Sequence, residues 1–189
     1  STPCRLPRVA AGRRQARTRV GSGFEPGSQI RLSVPEPRGE IVDTAAADDN
    51  YAVLVDGELR AGSQLLTEQV TINGTTFDYQ VDANGFWQVH RQAPIALGTH
   101  VINLVNGQLQ SAADAVIWDL YSGSGLFTLP LATMTGERTR MLSVEGARVA
   151  VNERPAQLRA MNLNDVDARA GDVSRTLDLC RRIWPSRMS

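Results

Sequence analysis

The sequence predicts an α/β chain in which a small antiparallel β unit leads into one half of a doubly wound parallel sheet. Three observations predict it. Asp56-Gly57 and Asn73-Gly74 each interrupt apolar runs, as tight hairpin turns do. After Asn84-Gly85 the apolar period lengthens, and Ala93, Leu97, Val101, Leu104 and Val105 recur at helical spacing. Farther on, the order is an apolar strand, the small-residue loop Ser122-Gly-Ser-Gly125, a helix and another strand, which is the order of a Rossmann-like unit.

Composition bounds the function classes. Apolar residues make up 42% and charged residues 21% of the 189, near the norm for folded domains, which argues against wholesale disorder. No apolar run approaches the roughly 18 to 20 residues that span a bilayer, and no signal-peptide stretch is seen, so a cytoplasmic setting without membrane contact is expected. Cys4 and Cys180 lie near opposite ends and make no disulfide framework, although one bridge stays open. Net charge is zero, which excludes a strongly basic binder overall. Arg5, Arg8, Arg13, Arg14, Arg17 and Arg19 nevertheless precede the first acid, Glu25, and read either as a solvated segment or as a footprint for phosphate.

Residues 1–50 are rich in Arg, Gly and Pro and are expected to be poorly ordered or a partial β region, with only Gln29–Val34 alternating like a strand. Residues 51–84 form the β-hairpin region, and 85–189 the α/β part. Within the latter the expected elements are a helix from Pro94 to Leu109, the strand Ala115–Tyr121, a helix over LFTLPLATM and the strand Arg140–Gly146. A helix over about 147–163, a short strand VDARAGD and a helix over Val173–Ile183 follow. Pro155 would break the first of these last helices. Three parallel strands make half of such a sheet, and one strand would have an open edge.

The loop after the first parallel strand carries the chemistry. Gly123 and Gly125 let the backbone approach a ligand with no Cβ in the way, as a nucleotide-like cofactor requires. Glu145, about 20 residues on, ends the next strand, where a carboxylate can accept hydrogen bonds from both hydroxyls of a ribose. Asp172 ends the third strand, where it could receive an adenine amino group. A plain tight turn with no ligand competes with this reading. A nicotinamide cofactor would want a third glycine at the position of Thr128.

Asp119-Leu-Tyr-Ser-Gly-Ser-Gly-Leu-Phe-Thr-Leu-Pro-Leu-Ala132 resembles the first cofactor motif of the RNA uracil-C5 methyltransferases, usually Asp-Leu-Tyr-Cys-Gly at its start. Gly85-Phe-Trp-Gln-Val-His90 resembles that family's Phe-Phe-Gln-Val-Asn, and Ser143-Val-Glu145 its Gly-Val-Glu. The resemblance spans roughly residues 66–180. It implies a Rossmann-like methyltransferase half-domain that binds S-adenosylmethionine through Gln88, Tyr121, Gly123, Gly125 and Glu145, with Asp172 a weaker contact. It also implies RNA, tRNA or rRNA, as partner and C5 of uridine as the methyl acceptor. Phe86 and Trp87 would face a flipped base, although core packing competes for both.

The family's nucleophilic cysteine lies in a Ser-Cys segment after the fifth strand, and an Asp-Pro-Pro segment follows the fourth; neither is present here. The nucleophile is expected beyond Ser189, no catalytic residue is assigned, and the chain is expected to be an inactive fragment. Cys180 sits in a helical pattern with unlike surroundings and reads as a packed thiol. His90 and His100 lack metal-ligand spacing, and no metal site is expected. Two other readings stand beside this one: an NAD(P)-binding oxidoreductase fragment, and a non-catalytic RNA- or cofactor-binding module.

Overall fold

The structure is a computed structural model that describes residues 25–36, 50–109, 115–135, 139–147, 158–159 and 161–183. The Arg-rich segment 5–19, Cys4 and Pro155 lie outside the described residues, as does the side chain of Cys180.

Three short strands, β1 (Ile30–Ser33), β2 (Ala52–Val55) and β3 (Glu58–Gly62), form an antiparallel sheet with β2 in the middle. The turn between β2 and β3 places Asp56 at φ 52° and Gly57 at φ 83°, the left-handed pair that matches strand twist in a two-residue hairpin. The Asp56 carboxylate also accepts the Gln29 N–H at 2.8 Å, tying the start of β1 to the turn. Gly62 has φ 84°, and a Cβ there would come within 1.9 Å of the Tyr51 carbonyl oxygen, so this position admits only glycine.

A longer ribbon follows. β4 (Leu65–Ile72) and β5 (Thr75–Asp82) pair antiparallel along their whole length, from Leu65 opposite Asp82 to Ile72 opposite Thr75. Asn73 (φ 50°) and Gly74 (φ 80°) make the turn. Burial alternates along both strands, and Val70, Ile72, Phe77, Tyr79 and Val81 face inward. That inner face packs on the next elements: α1 (Ala93–Leu109), α2 (Thr128–Thr135) and β7 (Arg140–Glu145) contribute Ile102, Leu129, Leu131, Ala132 and Met141 to the same core. One hydrophobic core therefore joins the ribbon to the α/β part.

The helix α1 forms where its period predicted, and Val101 and Val105 of the expected face pack on the core, but the buried side is rotated away from Leu97 and Leu104. Pro94, Gly98 and Ile102 are the buried positions, while Leu97 and Leu104 are 40% and 58% exposed. The helix is apolar on most sides, so periodicity alone did not choose the side. Close approach did: a Cβ on Gly98 would lie 2.5 Å from Ile72 Cδ1, so the glycine is where the helix meets β4. Pro94 sits in the first turn, where its missing N–H costs no hydrogen bond.

β6 (Val116–Leu120), β7 and β8 (Val166–Ala170) form the parallel sheet, in that order. Met141 to Val144 are buried without alternation, as expected of a central strand covered on both faces. The second edge of β6 pairs with no strand among the described residues. α2 begins at Thr128, two residues later than the apolar run starts, because 123–127 are spent in turns. α3 covers Val173–Ile183. Of the helix expected over 147–163, only Leu158 and Arg159 are described as helical. It ends on Asn162 at φ 57°, with the Leu163 N–H returning to the Leu158 carbonyl at 2.8 Å.

Candidate cofactor-binding site

Parallel pairing sets Asp119 level with Ser143 and Leu120 level with Val144, so β6 and β7 end side by side. In open α/β sheets this carboxyl edge is where ligands bind. The chain leaves β6 through a loop of unusual backbone: Tyr121, Gly123 and Gly125 have φ of 58°, 53° and 86°. A tyrosine in the left-handed region is uncommon and is held there by its neighbours. Ser122 is anchored to the Val144 carbonyl by both its N–H (3.1 Å) and its hydroxyl (3.3 Å). The Tyr121 side chain is consequently thrown outward and is 75% exposed.

Glu145 closes the loop from the other strand. Its Oε2 accepts the Gly123 N–H at 2.7 Å and its Oε1 accepts the Ala147 N–H at 2.8 Å. A carboxylate has about four acceptor positions, so two remain for the hydroxyls of a ribose. The structure thus brings Tyr121, Gly123, Gly125 and Glu145 together. Asp172 follows β8 at the same edge, but its Oδ1 accepts the Arg175 N–H at 2.9 Å and caps α3, a role that competes with an adenine contact.

The segment 86–88 separates into unlike residues. Phe86 is 80% exposed, whereas Trp87 packs on the fully buried Tyr79 with ring centroids 5.3 Å apart. Gln88 is half-buried. The Tyr79 hydroxyl in turn donates to the Leu126 carbonyl at 3.3 Å, so the 86–88 segment is braced against the residue that follows Gly125. Trp87 Nε1 is buried with no hydrogen-bond partner among the described residues. Trp87→Ala is therefore expected to lower stability by about 3 kcal/mol, and Phe86→Ala by no more than about 0.5 kcal/mol, as read from urea midpoints. Equal losses would contradict this division.

Reasoning from sequence did not foresee a hydroxyl cluster beneath the loop. Thr128 Oγ1 donates to Asp119 Oδ2 at 2.5 Å and lies 3.1 Å from Ser143 Oγ, which donates to Ser122 Oγ at 3.0 Å. Thr128 and Ser143 are wholly buried. Ser122 and Ser143 stand where the resembled motifs carry Cys and Gly, and here the two departures touch. The signal available was three hydroxyl residues, 122, 128 and 143, set among apolar strand and helix residues. His90, by contrast, receives the Gln92 N–H on Nδ1 at 3.2 Å at the start of α1. Among the described residues no three His, Cys, Asp or Glu side chains gather to hold a metal ion, and no helix is long and apolar enough to cross a membrane.

Over 156 residues the sequence is 96% identical to a Bifidobacterium longum protein named "Uncharacterized RNA methyltransferase", a match that covers 82% of this chain and 36% of that one. The chain is similar to RNA methyltransferases. A Streptomyces avermitilis protein with the same descriptive name is 32% identical over 139 residues, covering 71% of this chain and 31% of its own. The chain thus spans about a third of the length of these relatives. No family model matches. Among solved structures, a T. thermophilus 16S rRNA methyltransferase in complex with AdoMet and guanosine superposes with a TM-score of 0.48 at 22% identity, covering 72% of this chain and 36% of that one.

Proposed function

We propose that this chain is the S-adenosylmethionine-binding part of an RNA methyltransferase, and that the whole protein methylates C5 of uridine in tRNA or rRNA. The observation that carries the reading is the Gly123 N–H to Glu145 hydrogen bond of 2.7 Å, which joins the glycine loop of β6 to the carboxylate at the end of β7. The resemblance of the three motifs and the RNA methyltransferase relatives support the acceptor class.

When bound, the cofactor supplies an electrophilic methyl group on a sulfonium. Glu145 would hold the ribose hydroxyls, Gly123 and Gly125 would admit the cofactor close to the backbone, and the exposed Tyr121 ring would be free to contact it. Gln88 supplies a further polar contact, and Asp172 a weaker one beside the adenine. Phe86 offers an exposed face on which an unpaired base can stack. Trp87 serves the core and orients Phe86 and Gln88. The nicotinamide alternative is disfavoured because Thr128 stands fully buried where that cofactor's fold wants a third glycine for close packing of helix on strand.

Equilibrium dialysis of the chain against labelled S-adenosylmethionine and labelled NAD tests the cofactor. Retention of S-adenosylmethionine is expected, and retention of NAD without it would overturn the assignment. The acceptor atom is tested on the Bifidobacterium longum relative with RNA tritiated at C5 of uridine. Methylation there must release tritium, and methyl incorporation without release would move the reaction to another atom.

A further inference from the structure

We infer that the groove between β1 and the segment 85–89 takes a single unpaired guanine of the RNA, a base other than the one on Phe86; this rests on the RNA reading above. The groove has a volume of about 270 Å³, below the roughly 300–1,000 Å³ of sites that enclose drug-sized ligands, so it suits one base rather than a whole nucleotide cofactor. Leu32 and Val34 of β1, Leu66 of β4 and the exposed Val89 give it apolar walls, against which the face of a base can pack. Phe86 lies in the chain between Gly85 and Trp87, which both line the groove, so neighbouring nucleotides of one strand can reach both places.

Two buried polar groups line the same groove. Glu68 is 8% exposed and shares the inward face of β4 with Leu66, Val70 and Ile72, where a charge is costly to place. Trp87 Nε1 is a buried donor with no hydrogen-bond partner among the described residues. An acceptor and a donor set among apolar walls match a base edge of the opposite pattern. Guanine has that edge: O6 accepts, while N1–H and the 2-amino group can both donate to one carboxylate. Adenine, cytosine and uracil each offer a carboxylate a single donor group. A carboxylate has about four acceptor positions, enough for the guanine pair beside a partner within the fold. Arg31 is the cation of the lining; it is exposed, its Nη1 donates to the Ala83 and Asn84 carbonyls at 3.4 Å, and its other N–H groups can hold a phosphate. The carboxylates of Glu68 and Asp82 repel that phosphate from the groove itself, so the base and not the backbone enters.

The test measures, by fluorescence anisotropy, binding of the chain to labelled oligouridine carrying one central guanosine, and to the same strand with inosine or adenosine in its place. Inosine lacks only the 2-amino group. Wild type is expected to bind the guanosine strand about tenfold more tightly than the inosine strand, as loss of one hydrogen bond to a charged group should cause, and the adenosine strand no better than the inosine one. Glu68→Gln is expected to bring the guanosine-to-inosine ratio near one. Arg31→Ala is expected to weaken all three strands alike and to flatten the salt dependence, since phosphate contacts position a strand without reading it. Equal wild-type affinity for the guanosine and inosine strands overturns the inference, even if Glu68→Gln fails to fold. A ratio left unchanged by Glu68→Gln overturns it too. Sedimentation as a dimer that the guanosine strand does not dissociate would give the groove to a second copy and likewise overturn it. A chain that binds none of the strands overturns the RNA reading itself.

Discussion

Glu145→Ala is expected to weaken S-adenosylmethionine binding by about 100-fold, the loss that follows when two hydrogen bonds to a charged acceptor disappear together. The substitution removes the acceptor of the Gly123 and Ala147 amides, at 2.7 and 2.8 Å, as well as the proposed partner of the ribose hydroxyls. Glu145→Gln retains one acceptor oxygen but turns an NH₂ toward a backbone N–H or a ribose hydroxyl, and should fall between the two. Calorimetric titration checks the affinities. Loss of the Glu145 bonds to the Gly123 and Ala147 amides should also lower the stability of the ligand-free chain by about 1 to 3 kcal/mol, read from the urea midpoint, so affinities are compared where both chains are folded. A cofactor analogue lacking both ribose hydroxyls should bind wild type and Glu145→Ala with closer affinities. If the substitution weakens that analogue as strongly as the natural cofactor, Glu145 acts only on the loop and not on the ribose.

Tyr79→Ala is expected to lower stability by about 3 to 5 kcal/mol, as truncation of a buried aromatic does. Tyr79 is fully buried at the junction of three units: its ring lies 6.4 Å from Phe77 and 5.3 Å from Trp87, and its hydroxyl reaches the Leu126 carbonyl. Tyr79→Phe keeps the ring and should cost only about 1 kcal/mol, the worth of one hydrogen bond. Burial also pushes the Tyr79 phenol far above its ordinary value of 10.0. The folded chain keeps this proton when the unfolded chain has lost it, so Tyr79 lowers stability progressively as pH rises above 10.0. Urea denaturation between neutral pH and pH 11 should show this alkaline loss in wild type and a smaller one in Tyr79→Phe. An identical alkaline slope in the two would remove Tyr79 from that role.

Much of the backbone course is legible in the order of residues alone, because the signals are local. Asp56-Gly57 and Asn73-Gly74 can take the left-handed conformations that two-residue hairpins require, and the alternation in β4 and β5 tells which side chains face inward. The loop between β6 and α2 and the acid at the end of β7 are readable from residue type and spacing. A helix over Ala93–Leu109 is readable from its period, but only part of the face it buries.

What tertiary structure alone decided lies in contacts between residues far apart in the chain. Gly98, an unremarked residue within a helical pattern, chose the buried side of α1 because it lets the helix approach Ile72. Phe86 and Trp87 are adjacent and chemically alike, yet Tyr79 takes one into the core and leaves the other in solvent. Gly123 and Glu145 are 22 residues apart, and Ser122 and Ser143 21. No local pattern encodes such pairs, because parallel register places them side by side only after the intervening helix has packed. The sequence by itself determined the order and type of the elements and the residues at the strand ends, since propensity, turn chemistry and period act over a few positions. Packing determined which of those residues meet, since a hydrogen bond or a buried ring is satisfied by whatever the fold brings within reach.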